Sequence, residues 1–269
     1  MVNTTAAVVQ MNSRDDVAAN LAAAERLLVQ AAGAGAMLAV LPENFAFMGA
    51  HEKDKLAQAE EAGRGTIQKF LARCAQQLKL WIVGGTIPLK APDGRVFAAS
   101  LVFNSSGECV ARYDKIHLFD VAVGEETYRE SASIAPGAVR AVVVDTPLGR
   151  LGLSVCYDLR FPELFRALSQ QGAEILCVPS AFTARTGAAH WDILLRTRAV
   201  ENLCQVLAPN QCGEHPGGRH THGHSMIVDA WGSVLAQRAD GEGVVLAEIQ
   251  RAPREHLRKT FPVLDHRRL

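Results

Sequence analysis

Short apolar runs alternate along this chain with segments whose apolar residues recur at helical spacing, and that alternation constrains the fold more than any other feature. It is the pattern of an α/β protein, in which helices cover the faces of a sheet built from buried strands. Ala7 to Met11 reads as the opening strand, and over 16–30 Val17, Leu21, Leu27 and Leu28 share one helical face, with Ser13 upstream as its cap. Met37 to Leu41 is a buried strand ended by Pro42. Thr66 is the expected cap of a helix carrying Ile67, Phe70, Leu71, Cys74 and Leu78, and Trp81 to Ile87 returns as a strand. Two hairpins follow, Val96–Asn104 with Cys109–Tyr113 and Ala141–Asp145 with Leu151–Val155, so the sheet is not purely parallel. Between them, 116–138 lacks periodicity and holds Gly124 and Pro136, the mark of a long functional or mobile loop. Pro162 stands where a helix would start. Ile175–Val178 and Val206–Ala208 are strands around a helix at Trp191–Leu203, a strand pair flanks 230–233, and Val244–Ile249 closes the series. No repeat or linker interrupts it, and a single domain over 1–269 is expected.

Charge narrows the partners. Lys plus Arg and Asp plus Glu number 28 each, and no basic stripe stands out, which argues against a nucleic-acid or anionic-membrane partner. The opening residues show no basic segment ahead of an apolar stretch, and no apolar run approaches the roughly 18 residues of a membrane span. The six cysteines are scattered with no Cys-x-x-Cys, as expected of reduced thiols in a cytoplasmic compartment.

Three polar residues share one placement. Glu43 follows the run ending at Leu41, Lys115 the run ending at Tyr113, and Cys156 the run Leu151–Val155. Strand ends are where open α/β sheets collect reactive groups. An acid, a cation and a thiol are what amide cleavage needs. A nearby cation, or the helix start at Pro162, lowers a thiol pKa and makes the nucleophile. A carboxylate serves first as base and then as acid to the departing nitrogen. A cation and backbone N–H groups steady the oxyanion, at about 3 kcal/mol per donor. Each residue alone has a plainer reading: a buried small apolar cysteine, a solvated lysine, a turn glutamate.

The surrounding words change that balance. Leu41-Pro-Glu43-Asn-Phe45, Tyr113-Asp-Lys115-Ile-His117-Leu-Phe119 and Ser154-Val-Cys156-Tyr-Asp-Leu-Arg160-Phe-Pro-Glu163 resemble, in order and spacing, the three catalytic segments of the nitrilase superfamily of carbon–nitrogen hydrolases. The resemblance spans nearly the whole chain. It implies Glu43 as general base, Lys115 as oxyanion-stabilising cation, Cys156 as nucleophile, and the backbone N–H of Tyr157 as second oxyanion donor. The family's further glutamate matches Glu130 best, with Glu125 and Glu126 as neighbours in the same loop. Pro179-Ser-Ala-Phe182, Thr186-Gly-Ala-Ala-His190-Trp191 and Leu195–Asn202 are similar to the Nit-type amidases. Gln211-Cys-Gly213-Glu-His215 and Phe261–Arg268 look more like the deaminated glutathione amidases than the omega-amidases of 2-oxoglutaramate and 2-oxosuccinamate. Ala188, where a proline is common, and Asn44 depart from the pattern. The resemblance further implies a four-layer α-β-β-α sandwich of two mixed sheets, a thioester intermediate, a small-molecule amide substrate, no cofactor, and a homodimer formed through helical faces, with 191–203 as a candidate contact. Arg185 or Arg219 is a candidate partner for a substrate carboxylate.

Two other readings stand beside this one. His215, His220, His222 and His224 form a cluster that invites a metal, with 220, 222 and 224 on one strand face, yet no carboxylate or cysteine at a completing spacing. A catalytically idle ligand-binding or interaction protein of the same fold would show a broken triad, whereas all three residues are present. Transfer of the acyl group to an amine instead of water shares the same first half-reaction.

Overall fold

The computed structural model describes residues 4–123 and 126–268. In chain order the strands and helices are β1 (Thr5–Gln10), α1 (Val17–Gly33), β2 (Leu38–Val40), α2 (Thr66–Leu78), β3 (Trp81–Val83), β4 (Ile87–Lys90), β5 (Val96–Phe103) and β6 (Cys109–Asp114). They continue as β7 (Asp120–Val123), β8 (Glu126–Arg129), β9 (Val143–Thr146), β10 (Gly149–Leu153), α3 (Pro162–Gln170), β11 (Ile175–Cys177) and α4 (Ala184–Asn202). The last elements are β12 (Gln205–Ala208), β13 (Cys212–Glu214), β14 (His220–His222), β15 (Ser225–Val228), β16 (Val234–Arg238), β17 (Gly243–Glu248) and α5 (Arg251–Thr260).

Two mixed sheets carry the architecture. In the first, β1, β2 and β3 run parallel, β17 pairs antiparallel with β1, and β5 is antiparallel to β3, β4 and β6. In the second, β10, β11 and β12 run parallel, with β9 antiparallel on one side and β15 and β16 on the other. Side-chain alternation explains why they stack. Ala6, Val8, Leu38, Val40 and Val83 join a core with the second sheet, α3 and α4, while Ala7, Val9, Ala39, Leu41 and Ile82 join a separate core with α1 and α2. Successive strand residues point to opposite faces, so a strand apolar on both faces must be covered twice. The result is the expected α-β-β-α sandwich.

Local chemistry departs from the expected caps and boundaries. Asp16, not Ser13, caps α1 by accepting the Ala19 N–H at 3.0 Å. Ser13 is buried instead and donates its hydroxyl to Phe45 O at 2.9 Å. Thr66 is the first residue of α2 rather than its cap, and the Glu60 carboxylate, from outside the helix, accepts the Ile67 and Gln68 N–H groups. The run Trp81–Ile87 is two strands, because the chain breaks at Gly84-Gly85. The 116–138 stretch holds the β7–β8 hairpin and a 3-10 turn at Glu130–Ala132. α4 starts seven residues earlier than Trp191, capped by Thr183. α5 carries no apolar stripe and was not visible as a helix in the sequence.

Candidate active site

The parallel strands of both sheets end at one cleft. β2 delivers Leu41-Pro-Glu43, β10 delivers Ser154-Val-Cys156, β11 delivers Pro179-Ser-Ala181, and β6 delivers Lys115. Glu43, Lys115, Cys156 and Glu130 are all buried.

Glu43 sits on a tight turn fixed from behind. Gly85 adopts φ +50°, and a Cβ there would stand 1.9 Å from Pro42 O, so this close approach requires glycine. Thr86 Oγ1 accepts the Asn44 N–H at 2.9 Å, and Gln211 Nε2 donates to Glu43 O at 3.0 Å. Cys156 has φ +46°, a strained conformation for a residue with a Cβ, and a 3-10 turn at Cys156–Arg160 follows it. Its own N–H donates to Pro179 O at 2.9 Å. The turn is held by Asp158, which is fully buried and accepts the Val155 N–H at 2.8 Å, the Tyr113 hydroxyl at 2.6 Å and the His117 N–H at 3.2 Å, with His117 Nδ1 at 2.7 Å. Tyr113 and His117 flank Lys115, so one side chain ties the cysteine turn to the lysine segment.

At the centre, Lys115 Nζ lies 2.8 Å from Glu43 Oε1 and 2.8 and 2.9 Å from the two Glu130 oxygens. The Ala181 N–H donates to the second Glu43 oxygen at 2.9 Å, and the Phe119 N–H to Glu130 Oε2 at 2.6 Å. Of the neighbours considered for the second glutamate, Glu125 lies outside the described residues, as does the Glu126 side chain; Glu130 is placed on Lys115. The Cys156 thiol and the Glu43 carboxylate line the same cleft, near enough for the Glu43 charge to act on the thiol.

The electrostatics follow. Burial opposes the charge on Glu43, but Lys115 outweighs it and holds the carboxyl below its usual range, so Glu43 is a carboxylate at neutral pH. Burial likewise opposes the ammonium, yet Glu130 and Glu43 raise Lys115 well above its ordinary value. Cys156 departs from the expected lowered pKa. Burial and the adjacent Glu43 charge push the thiol far up, and Lys115 only partly offsets them. The resting pair is a thiol beside a carboxylate, and the proton must move as the sulfur reacts.

The cleft is narrow and is lined in addition by Phe119, Tyr157, Phe182, Arg160 and Arg219. Arg219 is thus one of the two expected cations at the site, whereas Arg185 is exposed and outside the lining. Sequence reasoning assigned no role to Arg160, Asp158 or the Ala181 amide, although all three lie within quoted motifs. The histidines do other work. His215 uses both ring nitrogens, on Ser13 O and Thr221 Oγ1, and burial lowers its pKa to about 4. His222 and His224 stack at 4.2 Å, and His224 leaves the strand with φ +54°. No group of three or more metal-ligating side chains lies together among the described residues.

A carbon–nitrogen hydrolase family model matches residues 5–259. The chain belongs to the carbon–nitrogen hydrolase family. It is 46% identical over 266 residues to a protein named deaminated glutathione amidase from Synechocystis sp., covering 97% of both chains. Its fold is similar to the crystal structure of the C. elegans NitFhit protein, with a TM-score of 0.92 and 38% identity over 99% of this chain, which spans 65% of that one. A mutant of the amidase from Nesterenkonia sp. AN1, with a TM-score of 0.81, 26% identity and coverage of 97% of this chain and 98% of that one, shows Michael addition of acrylamide at its active site cysteine.

Proposed function

We propose that this hydrolase is an amidase that cleaves deaminated glutathione at the amide joining its 2-oxo acyl half to the cysteinyl nitrogen. The observation that carries the reading is the meeting of Glu43, Lys115 and Cys156, from three distant segments, at the base of one cleft. As Cys156 Sγ bonds to the amide carbon, its proton passes to Glu43. Lys115 and the Tyr157 N–H, which follows the nucleophile into the 3-10 turn, stabilise the oxyanion. Collapse breaks the C–N bond as Glu43 returns the proton to nitrogen, leaving a thioester and a free amine. Water then attacks the thioester, gives a proton to Glu43, and the acid departs with the thiol restored. Glu130 keeps Lys115 and thereby Glu43 in place.

The shared core between the two sheets supports a single domain over 1–269. No helix among the described residues is long and apolar enough to cross a membrane, and all six cysteines are free, which supports a reducing cytoplasmic setting. Val200 on α4 and the neighbouring Trp231 and Phe261 are exposed, and their apolar surface supports a homodimer; light scattering during gel filtration would give the subunit count.

The test is product formation from deaminated glutathione and from 2-oxoglutaramate, with wild type and Cys156→Ala. The expected result is a higher kcat/KM on deaminated glutathione and no turnover by the folded variant. Preference for 2-oxoglutaramate overturns the substrate; activity in the variant overturns the mechanism.

A further inference from the structure

The catalytic cleft does not end at its own rim. Asn44, Glu52, Lys55 and Arg219 line both it and a second cleft of about 380 Å³ that continues between the 47–51 segment and the turn Pro216–Gly218. The second wall is built closely: Gly217 adopts φ +77°, and a Cβ there would stand 2.7 Å from Ala50 O. His215 anchors the same turn through Ser13 and Thr221, and its N–H donates to Arg219 O at 2.8 Å.

The neck carries more cation than its acid can satisfy. Glu52 pairs with Lys55 at 2.9 Å and reaches Arg219 Nη1 only at 3.5 Å. Arg219 Nε is buried and has no hydrogen-bond partner, although the guanidinium is held over the Tyr128 ring at 5.3 Å from its centroid. A stacked guanidinium that lines a cleft, with its Nε–H unused and its one acid at 3.5 Å, keeps donors in reserve for a carboxylate.

We infer that the second cleft is the leaving-group subsite, and that Arg219 with Lys55 binds a carboxylate at the far end of the amine half of the substrate. This rests on the proposed amidase reading and deepens it: the substrates are amides whose amine part is an extended, carboxylate-terminated dipeptide, as the cysteinylglycine half of deaminated glutathione is. The neck supplies its net positive charge only to substrates long enough to reach it. An amide that releases ammonia, such as 2-oxoglutaramate, has no group to place there.

The experiment compares kcat/KM for three substrates: deaminated glutathione, the same molecule with its glycine carboxylate converted to a carboxamide, and 2-oxoglutaramate. In wild type the carboxamide form should be about 10- to 100-fold poorer than the parent, the range expected for losing a charged hydrogen bond. In Arg219→Ala that difference should collapse to about twofold, and the ratio of deaminated glutathione to 2-oxoglutaramate should fall by about 10- to 100-fold. The wild-type comparison needs no variant to fold. Equal kcat/KM for the free and capped substrates in wild type, or an equal loss on all three substrates in Arg219→Ala, overturns the subsite alone. No turnover of deaminated glutathione by wild type overturns the substrate reading and the subsite with it.

Discussion

Replacing Glu130 by Gln separates the charge of that side chain from its shape. In the native cluster one Glu130 oxygen faces Lys115 alone, while the other accepts from both Lys115 and the Phe119 N–H, at 2.9 and 2.6 Å. Glutamine has one acceptor oxygen, so its NH2 group must face a donor, either the ammonium or the Phe119 amide. One charge-assisted bond is lost, worth about 1.5–3 kcal/mol. If that deficit falls on the transition state, kcat drops by about 10- to 150-fold. The pH response has a definite sign. The Glu130 charge opposes ionisation of Glu43, since both carboxylates share one lysine. Without it Lys115 serves Glu43 alone, and a carboxyl already below its usual range falls further. The acid limb of the kcat/KM profile therefore moves to lower pH, with a lower plateau because the base is weaker. Amine release measured between about pH 4 and 9, with a thermal melt to verify folding, provides the assay. A wild-type plateau, or an acid limb displaced upward, would refute the reasoning.

Gly85→Ala should force Pro42 and Glu43 away from the cysteine and lower kcat by about 100-fold, the usual result of an ångström of misplacement; kinetics near the wild-type value would show that the turn relaxes. Asp158→Ala strands the Val155 N–H and the Tyr113 hydroxyl in the interior and should cost about 3 kcal/mol in urea unfolding, with kcat falling alongside. Because the Glu43 charge helps hold the Cys156 thiol protonated, Glu43→Gln should let iodoacetamide alkylate Cys156 faster at neutral pH while amide turnover is lost, and a slower alkylation would mean that burial alone keeps the proton on sulfur. Burial holds Cys74, Cys204 and Cys212 at about 11 each, above the roughly 8.5 of an unfolded thiol. A raised folded value contributes stability that is complete below about pH 8.5 and is lost as pH rises towards 11, so the urea midpoint should fall across that window and fall less steeply in Cys74→Ala.

Much of the fold was legible because strands and helices announce themselves by period. The runs at 7–11, 37–41 and 96–104 were read close to their true bounds. Where tertiary contacts replaced local signals, the reading slipped. Besides an early Pro253, α5 has only Ala252 and Leu257 as apolar residues; it is held by Arg258, which donates to Leu203 O and Ala173 O, and by Arg254 on Glu174. The α2 cap came from Glu60, several residues outside the helix. Neither leaves a periodic trace.

By itself the sequence determined the α/β class, the strand ends bearing Glu43, Lys115 and Cys156, and the family, because each is written in short contiguous segments. Only the tertiary structure decided that Glu130 meets Lys115, that the Ala181 amide meets Glu43, that the thiol keeps its proton, and that Arg219 stands at the neck of two clefts. Those properties depend on burial and on distances across space between residues such as Glu43 and Ala181, and spacing along a chain carries neither.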